Sequence, residues 1–402
     1  MYKIMGKKGK FITSFVFCIM LVFIVGLFWG WYPAFSSEKP VETTKKSYFW
    51  GNSPYEQTVD WYRVLVKASD YHALDHGNKV INLNPNMITE AQIRDIRYML
   101  AQGVDGMLIC PTSTHGLTAT INMVVDKGIP VVTYDADADT PKVLVNIRVS
   151  NSKIGELAAQ GMVDAIKADR VEPKGKVLVF SGSSTIMSAI ERRDGALSVL
   201  KKYPNLDVVV YMIEGWSMAD AKKTLVDAIA AWGPPLGVVA CNAATGMGVM
   251  EGLKTANASI KRGRKGHVYT GVVDVEKPMK EYMLQGICDA GVDQPNLFYG
   301  TLAQYFLQTY IEVGEDMIPP VGVTVYSDPD KSNGPQPDGT WNIYLTGEEH
   351  EGVNIYKYPS WAPAPVVESY GHRWLQVRPT MVTPENVEEL PIWSNVVSKW
   401  LE

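Results

Sequence analysis

Cysteine is scarce in this chain of 402 residues, occurring only as Cys18, Cys110, Cys241 and Cys288. No pair has the C-x-x-C spacing of a zinc ribbon or redox dithiol. The three that follow the N-terminal apolar run cannot all pair internally, so a disulfide framework is excluded and buried apolar filler is expected. Histidine is equally sparse, at positions 72, 76, 115, 267, 350 and 372. There is no Gly-x-Ser-x-Gly elbow and no His-Glu-x-x-His, so the chain offers neither a hydrolase nucleophile with its base nor a zinc protease helix. Basic residues give no excess: 38 Lys and Arg stand against 43 Asp and Glu, a net charge of -5. Nucleic-acid surfaces need clustered cations, so that class is excluded. Gly246-Met-Gly248 lacks the third glycine of a dinucleotide fingerprint. Asp135-Ala-Asp137-Ala-Asp139 begins like a calcium loop, but Thr140 stands where glycine is needed and Asn146 where the bidentate glutamate belongs. Glu348-Glu349-His350-Glu351 reads as an acidic turn rather than a metal site. No cofactor and no metal are expected.

What is present begins at the N-terminus, where Lys3, Lys7, Lys8 and Lys10 precede an uncharged, mostly apolar run from Phe11 to Tyr32. Basic residues stay cytoplasmic, so the rest of the chain is expected outside, in the periplasm or on the outer face of the cytoplasmic membrane. The run reaches the ~20 residues of a spanning helix. Ala34-Phe35-Ser36 also offers a small-residue cleavage site, so retained anchor and removed signal both stay open for residues 1–35. Either one occupies the space that a helix-turn-helix module of a repressor would need. Residues 36–46, polar with Pro40, read as a linker.

From Ser47 onward, short apolar runs alternate with amphipathic stretches. Val80 to Leu83, Gly106 to Cys110 and Ile129 to Tyr134 read as strands between helices at Tyr55 to His76, Thr89 to Gln102 and Leu117 to Lys127. After Val149 the rhythm restarts, with strands at Lys176 to Phe180, Val208 to Ile213, Gly237 to Cys241 and His267 to Val273. This is the βαβ pattern, and the predicted fold is α/β, with two doubly wound parallel-sheet lobes joined by a hinge of several crossings. The expected lobes are 47–149 with 294–326, and 150–293 with 377–402. Residues 327–376, rich in Pro, Gly, Trp and Tyr, are expected to form an accessory surface insertion outside the cleft, with hairpins around Trp341 to Leu345 and Val353 to Tyr358.

Ligands of open α/β sheets bind beyond the carboxyl ends of the strands. The residues that stand there are Trp50, Asn52 and Tyr55, then Asp135 and Asp137, Trp216, Asn242, Asp274 and Asp293. Aromatic faces beside carboxylates and amides suit a polyhydroxylated solute, whose C–H face stacks while its hydroxyls donate. The bland alternative is that the aromatics fill core and the aspartates cap helices or form turns.

The segment Gly103 to Asp135, GVDGMLICPTSTHGLTATINMVVDKGIPVVTYD, resembles the ribose-binding-protein-like family of type I periplasmic binding proteins, the substrate-binding components of sugar ABC transporters. Asn52-Ser53-Pro54-Tyr55, Ser150-Asn151 with Gly155, and Gly182 followed by Arg192 and Gly195 extend the resemblance to about Gly314. It implies that Tyr55 and Trp216 stack on the solute and that Asp135, Arg192, Asn242 and Asp274 bond its hydroxyls. Arg192 offers a planar fork of donors. Asp293 falls where the family often has Gln, and hinges are implied near Val149, Val273 and Gln294. Ala136, Cys110 and Ala243 depart from the family's Arg, Asn and Asp, which points away from ribose and toward a neutral or amine-bearing sugar or polyol. The implied partner is the permease of an importer or, with a retained anchor, a sensor kinase or chemoreceptor.

Overall fold

A computed structural model describes residues 46–184 and 186–401. The expected membrane or signal helix and most of the linker lie outside the described residues. From Ser47 the chain is one compact unit built on two sheets.

The first sheet has a parallel centre: β1 (Phe49–Ser53), β2 (Lys79–Asn82), β3 (Gly106–Ile109), β4 (Val131–Tyr134) and β5 (Val145–Arg148), in the order β5-β4-β3-β1-β2. The second repeats that pattern with β6 (Gly175–Ser181), β7 (Leu206–Met212), β8 (Gly237–Ala240), β9 (Tyr269–Val273) and β10 (Ala290–Asp293), ordered β10-β9-β8-β6-β7. Strands such as Gly-Met-Leu-Ile and Gly-Val-Val-Ala are buried along their whole length. A parallel strand covered on both faces needs that continuous apolar run.

The covering helices are α1 (Asp60–Asp75), α2 (Thr89–Ala101), α3 (Thr118–Val125), α4 (Asn151–Ala168), α5 (Met187–Leu200), α6 (Met218–Trp232), α7 (Ala243–Thr255), α8 (Lys277–Leu284) and α9 (Tyr299–Glu312). Helix α9 leaves the second lobe after β10 and packs on α1 and on β3 to β5 of the first. Three crossings therefore join the sheets: after Val149, after Asp293, and between β15 (His372–Gln376) of the first sheet and β16 (Thr380–Val382) of the second. The third replaces the hinge expected near Val273, because β9 and β10 belong to one sheet and pair directly.

Residues 327–376 differ most from the sequence reading. Their strands do not stand apart. With β11 (Thr324–Tyr326), β12 (Gly334–Pro335) and β13 (Trp341–Asn342), the hairpin of β14 (Ala364–Ser369) and β15 widens the first sheet to ten strands, β15 running parallel to β5. The expected hairpin over Val353 to Tyr358 is absent: Ile355–Lys357 is a short 3-10 turn after an isolated bridge between His350 and Val353. Burial explains the preference, since Trp341, Ile343, Trp361, Ala364, Val366 and Leu375 join the first lobe's core and could not remain on a free-standing surface unit. The chain ends with α10 (Trp393–Val396), after which Trp400 returns to the first lobe, its indole donating to the His350 carbonyl at 3.2 Å.

Candidate functional site

The carboxyl ends of the two sheets face each other, and the strongest local signal there is backbone conformation. Asp135, Trp216 and Asp274 adopt positive φ of 61°, 55° and 67°. For residues other than glycine such strain costs on the order of 1 to 3 kcal/mol and persists where the surroundings hold it, commonly at ligand sites. All three follow directly on strand ends or the loop beyond one.

Asp135 is the first lobe's contribution. Its carboxylate accepts from the Tyr62 hydroxyl at 2.8 Å and has the Cys110 Sγ at 3.7 Å. Tyr62 lies under Tyr55, ring centroids 6.0 Å apart and nearly parallel. Burial pushes the Asp135 carboxyl above its ordinary range; the Tyr62 bond and the Arg192 charge oppose that, and Asp274 reinforces it. Arg192 and Asp274 belong to the second lobe, so charges from both lobes meet around one point.

Arg192 is placed by helix packing. An added Cβ at Gly155 would lie 1.9 Å from the Arg192 carbonyl oxygen, and one at Gly195 only 2.0 Å from that of Ser152. Only glycine lets α4 and α5 approach this closely. From α5 the guanidinium donates to Asn151 Oδ1 at 2.9 Å and to the Cys241 carbonyl at 3.1 Å, with Asp274 4.0 Å away. Asp274 accepts from Gln294 Nε2 at 2.6 Å, and its carboxyl is raised by burial against the opposing Arg192 charge. Trp216 is half-buried against Gly182, whose Cβ would lie 2.7 Å from the indole, so that glycine makes room for the ring. Asn242 caps α7, its side-chain oxygen accepting from the Thr245 amide at 2.9 Å. Its amide NH2 is the group it can offer a solute. Asn52 is fully buried, donating to Asn82 at 2.7 Å and accepting from Tyr134 at 2.9 Å, which makes it a support beneath the site.

Three expected residues are engaged elsewhere. Trp50 lies inside β1, fully buried and stacked on Tyr48 at 5.0 Å. It stands three residues before Ser53, about 10 Å down the strand from the carboxyl end, and so belongs to core. Asp137 is held by His372 Nε2 at 3.0 Å and Ser369 Oγ at 2.6 Å, partners from the C-terminal hairpin invisible to a local reading. Asp293 accepts from the Trp393 amide at 3.3 Å at the start of α10, and burial holds its carboxyl far above the ordinary range, with Asp274 adding to the rise. Gln294, its neighbour, is the residue that reaches Asp274.

Tyr62 and Glu276 were not singled out from sequence, and Gln294 was expected only as a hinge position. The carboxyl of Glu276, just before α8, is raised from 4.5 to about 7 by burial and the charge of Asp274. A folded carboxyl that keeps its proton to higher pH contributes stability that is complete below the unfolded value and lost as pH rises through the folded one. Asp135 and Asp274 act in the same sense. Thermal unfolding midpoints should therefore fall between about pH 5 and about pH 8, and Glu276→Gln should flatten the fall. A slope unchanged in that variant contradicts the assignment.

Comparison with known proteins places the fold and the family. The chain is 27% identical over 211 residues to the xylitol-binding protein of Mycolicibacterium smegmatis, covering 52% of this chain and 57% of that protein. It is 29% identical over 190 residues to the D-xylose-binding periplasmic protein of Escherichia coli, covering 46% and 56%. These matches span little more than half the length of either relative. In fold it is similar to the crystal structure of a galactofuranose binding protein, with TM-score 0.63 and 18% identity over 85% of this chain and 96% of that one. A solute binding protein from Agrobacterium vitis bound with alpha-D-tagatopyranose gives TM-score 0.61 and 19% identity over 87% and 99%. The family model described as a periplasmic binding protein domain matches residues 51–316, the stretch that carries Tyr55, Asp135, Arg192, Trp216, Asn242 and Asp274, and the chain belongs to that family.

Proposed function

We propose that this protein captures a neutral sugar or polyol outside the cytoplasm, between its two lobes, and hands it to the permease of an ABC importer without chemical change. The observation that carries the reading is the meeting of Asp135 from one lobe with Arg192 and Asp274 from the other, beside the half-buried rings of Tyr55 and Trp216. Carboxylates accept from hydroxyls, the guanidinium donates to ring or hydroxyl oxygens, and aromatic faces take the C–H surface. The relatives named for xylitol and D-xylose support that solute class.

Charge narrows it further. Buried Asp274 and half-buried Asp135 share the field of Arg192, two carboxyls to one guanidinium. A sugar acid would add a further negative group to that set, and like charges in low dielectric repel strongly. Lobe closure then follows from differential affinity, since a solute that touches both lobes binds the closed form better. A thermal-shift screen of the full chain with xylitol, D-xylose, D-ribose, hexoses and sugar acids tests the reading. A neutral member at 100 times its dissociation constant should stabilise by about 2.7 kcal/mol, and sugar acids should give nothing. A response confined to sugar acids or amino acids contradicts it.

A further inference from the structure

Arg148 ends β5 of the first lobe, and its guanidinium is held in place from several sides. It stacks on the Trp374 indole at 3.6 Å, and that indole donates to the Arg148 carbonyl at 3.0 Å. Asp137 lies 3.8 Å away, itself fixed by Ser369 and His372. The other end of the guanidinium faces Glu191, 3.8 Å away on α5 of the second lobe. Arg148 is nearly buried and Glu191 about one-third exposed, with side-chain exposures of 8% and 30%. Tyr370, at the tip of the β14–β15 hairpin, sits in the same field: burial, Asp137 and Asp139 raise its phenol, Arg148 lowers it and Glu191 raises it.

Trp374, His372, Ser369 and Tyr370 all belong to the C-terminal segment expected to stand outside the cleft. We infer that this hairpin makes Arg148 into a latch, whose pairing with Glu191 across the lobes favours the closed form independently of solute contacts. Arg192, which serves the solute, lies one residue from Glu191 on α5, so the same helix carries a solute contact and a closure contact side by side. A guanidinium stacked on an indole and flanked by a fixed carboxylate has lost its side-chain entropy before the lobes meet, which makes its pairing more effective than that of two free surface side chains. The latch also gives the C-terminal extension of the first sheet a function, setting how readily the lobes close.

The inference rests on the two-lobed capture reading, so its test omits solute and separates the two. In the full chain, spin labels at Glu90→Cys on α2 and Lys223→Cys on α6, exposed helical positions in the two lobes, report the interlobe distance. Glu191→Gln should shift that distribution to longer distances, lowering the closed-to-open ratio about five-fold, the scale of one partly exposed ion pair. Trp374→Leu should do the same by releasing the guanidinium, whereas Arg193→Gln, which removes a neighbouring charge on the same helix, should leave the distribution unchanged. A shift in Glu191→Gln and Trp374→Leu alone supports the latch. Distances in Glu191→Gln that match the parent, or a shift of equal size in Arg193→Gln, overturn it, and neither result depends on which solute binds.

Discussion

Arg192→Ala should abolish most solute binding while leaving the fold in place. The variant strips the guanidinium from between Asp135 and Asp274, whose carboxyls burial has already raised. Truncating one partner of a buried, hydrogen-bonded charge pair costs about 2 to 5 kcal/mol. At about 1.4 kcal/mol per decade, that is roughly thirty-fold to several-thousand-fold in affinity. Arg192→Lys should recover part of it, since it keeps the charge and loses the fork that also reaches Asn151 and the Cys241 carbonyl. Calorimetric titration with the solute found by the thermal screen reads both values. Parent-like affinity in Arg192→Ala would mean that the solute sits elsewhere.

Gly195→Ala should instead damage the fold, and the site through it. Its new Cβ would lie 2.0 Å from the Ser152 carbonyl oxygen, a backbone atom that cannot step aside without moving α4. Overpacking of this kind typically costs about 1 to 3 kcal/mol, and a clash with backbone belongs at the upper end or beyond. Urea unfolding of the full chain should show a lower midpoint with the slope retained. Because α5 would be displaced from α4, Arg192 would shift with it, and solute affinity should drop even where the protein stays folded. Unchanged stability would contradict the close approach of these helices.

The two parallel sheets were legible because each strand is a short, uninterrupted apolar run followed by a helix, a pattern read within one window of sequence. Tyr55, Asp135, Trp216, Asn242 and Asp274 were proposed for a related reason, because they follow those runs, whereas Arg192, inside α5, was implied only by the family resemblance. What failed was whatever depended on distant partners. Trp50 and Asn52 share one face of β1, and only depth along the strand separates core from site. Asp137 looked like a ligand group until His372 and Ser369, more than 230 residues on, were placed against it. The C-terminal hairpin carries no helix-period signal and pairs in parallel with β5, a long-range register that local alternation cannot reveal. Tyr62 and Glu276 sit at ordinary helix starts, and their importance comes from what stands opposite.

The central claim, that a sugar-class solute lies between Trp216 and the Asp135, Arg192 and Asp274 cluster, is tested most directly by titrating the full chain with the best-stabilising sugar or polyol while following tryptophan fluorescence and heat together. The account predicts one solute per chain and a fluorescence change that is lost in Trp216→Phe, with binding still measurable by heat because an aromatic plane remains. Binding with heat and fluorescence changes identical in the parent and in Trp216→Ala would contradict it, as would the failure of every neutral sugar and polyol to titrate at all.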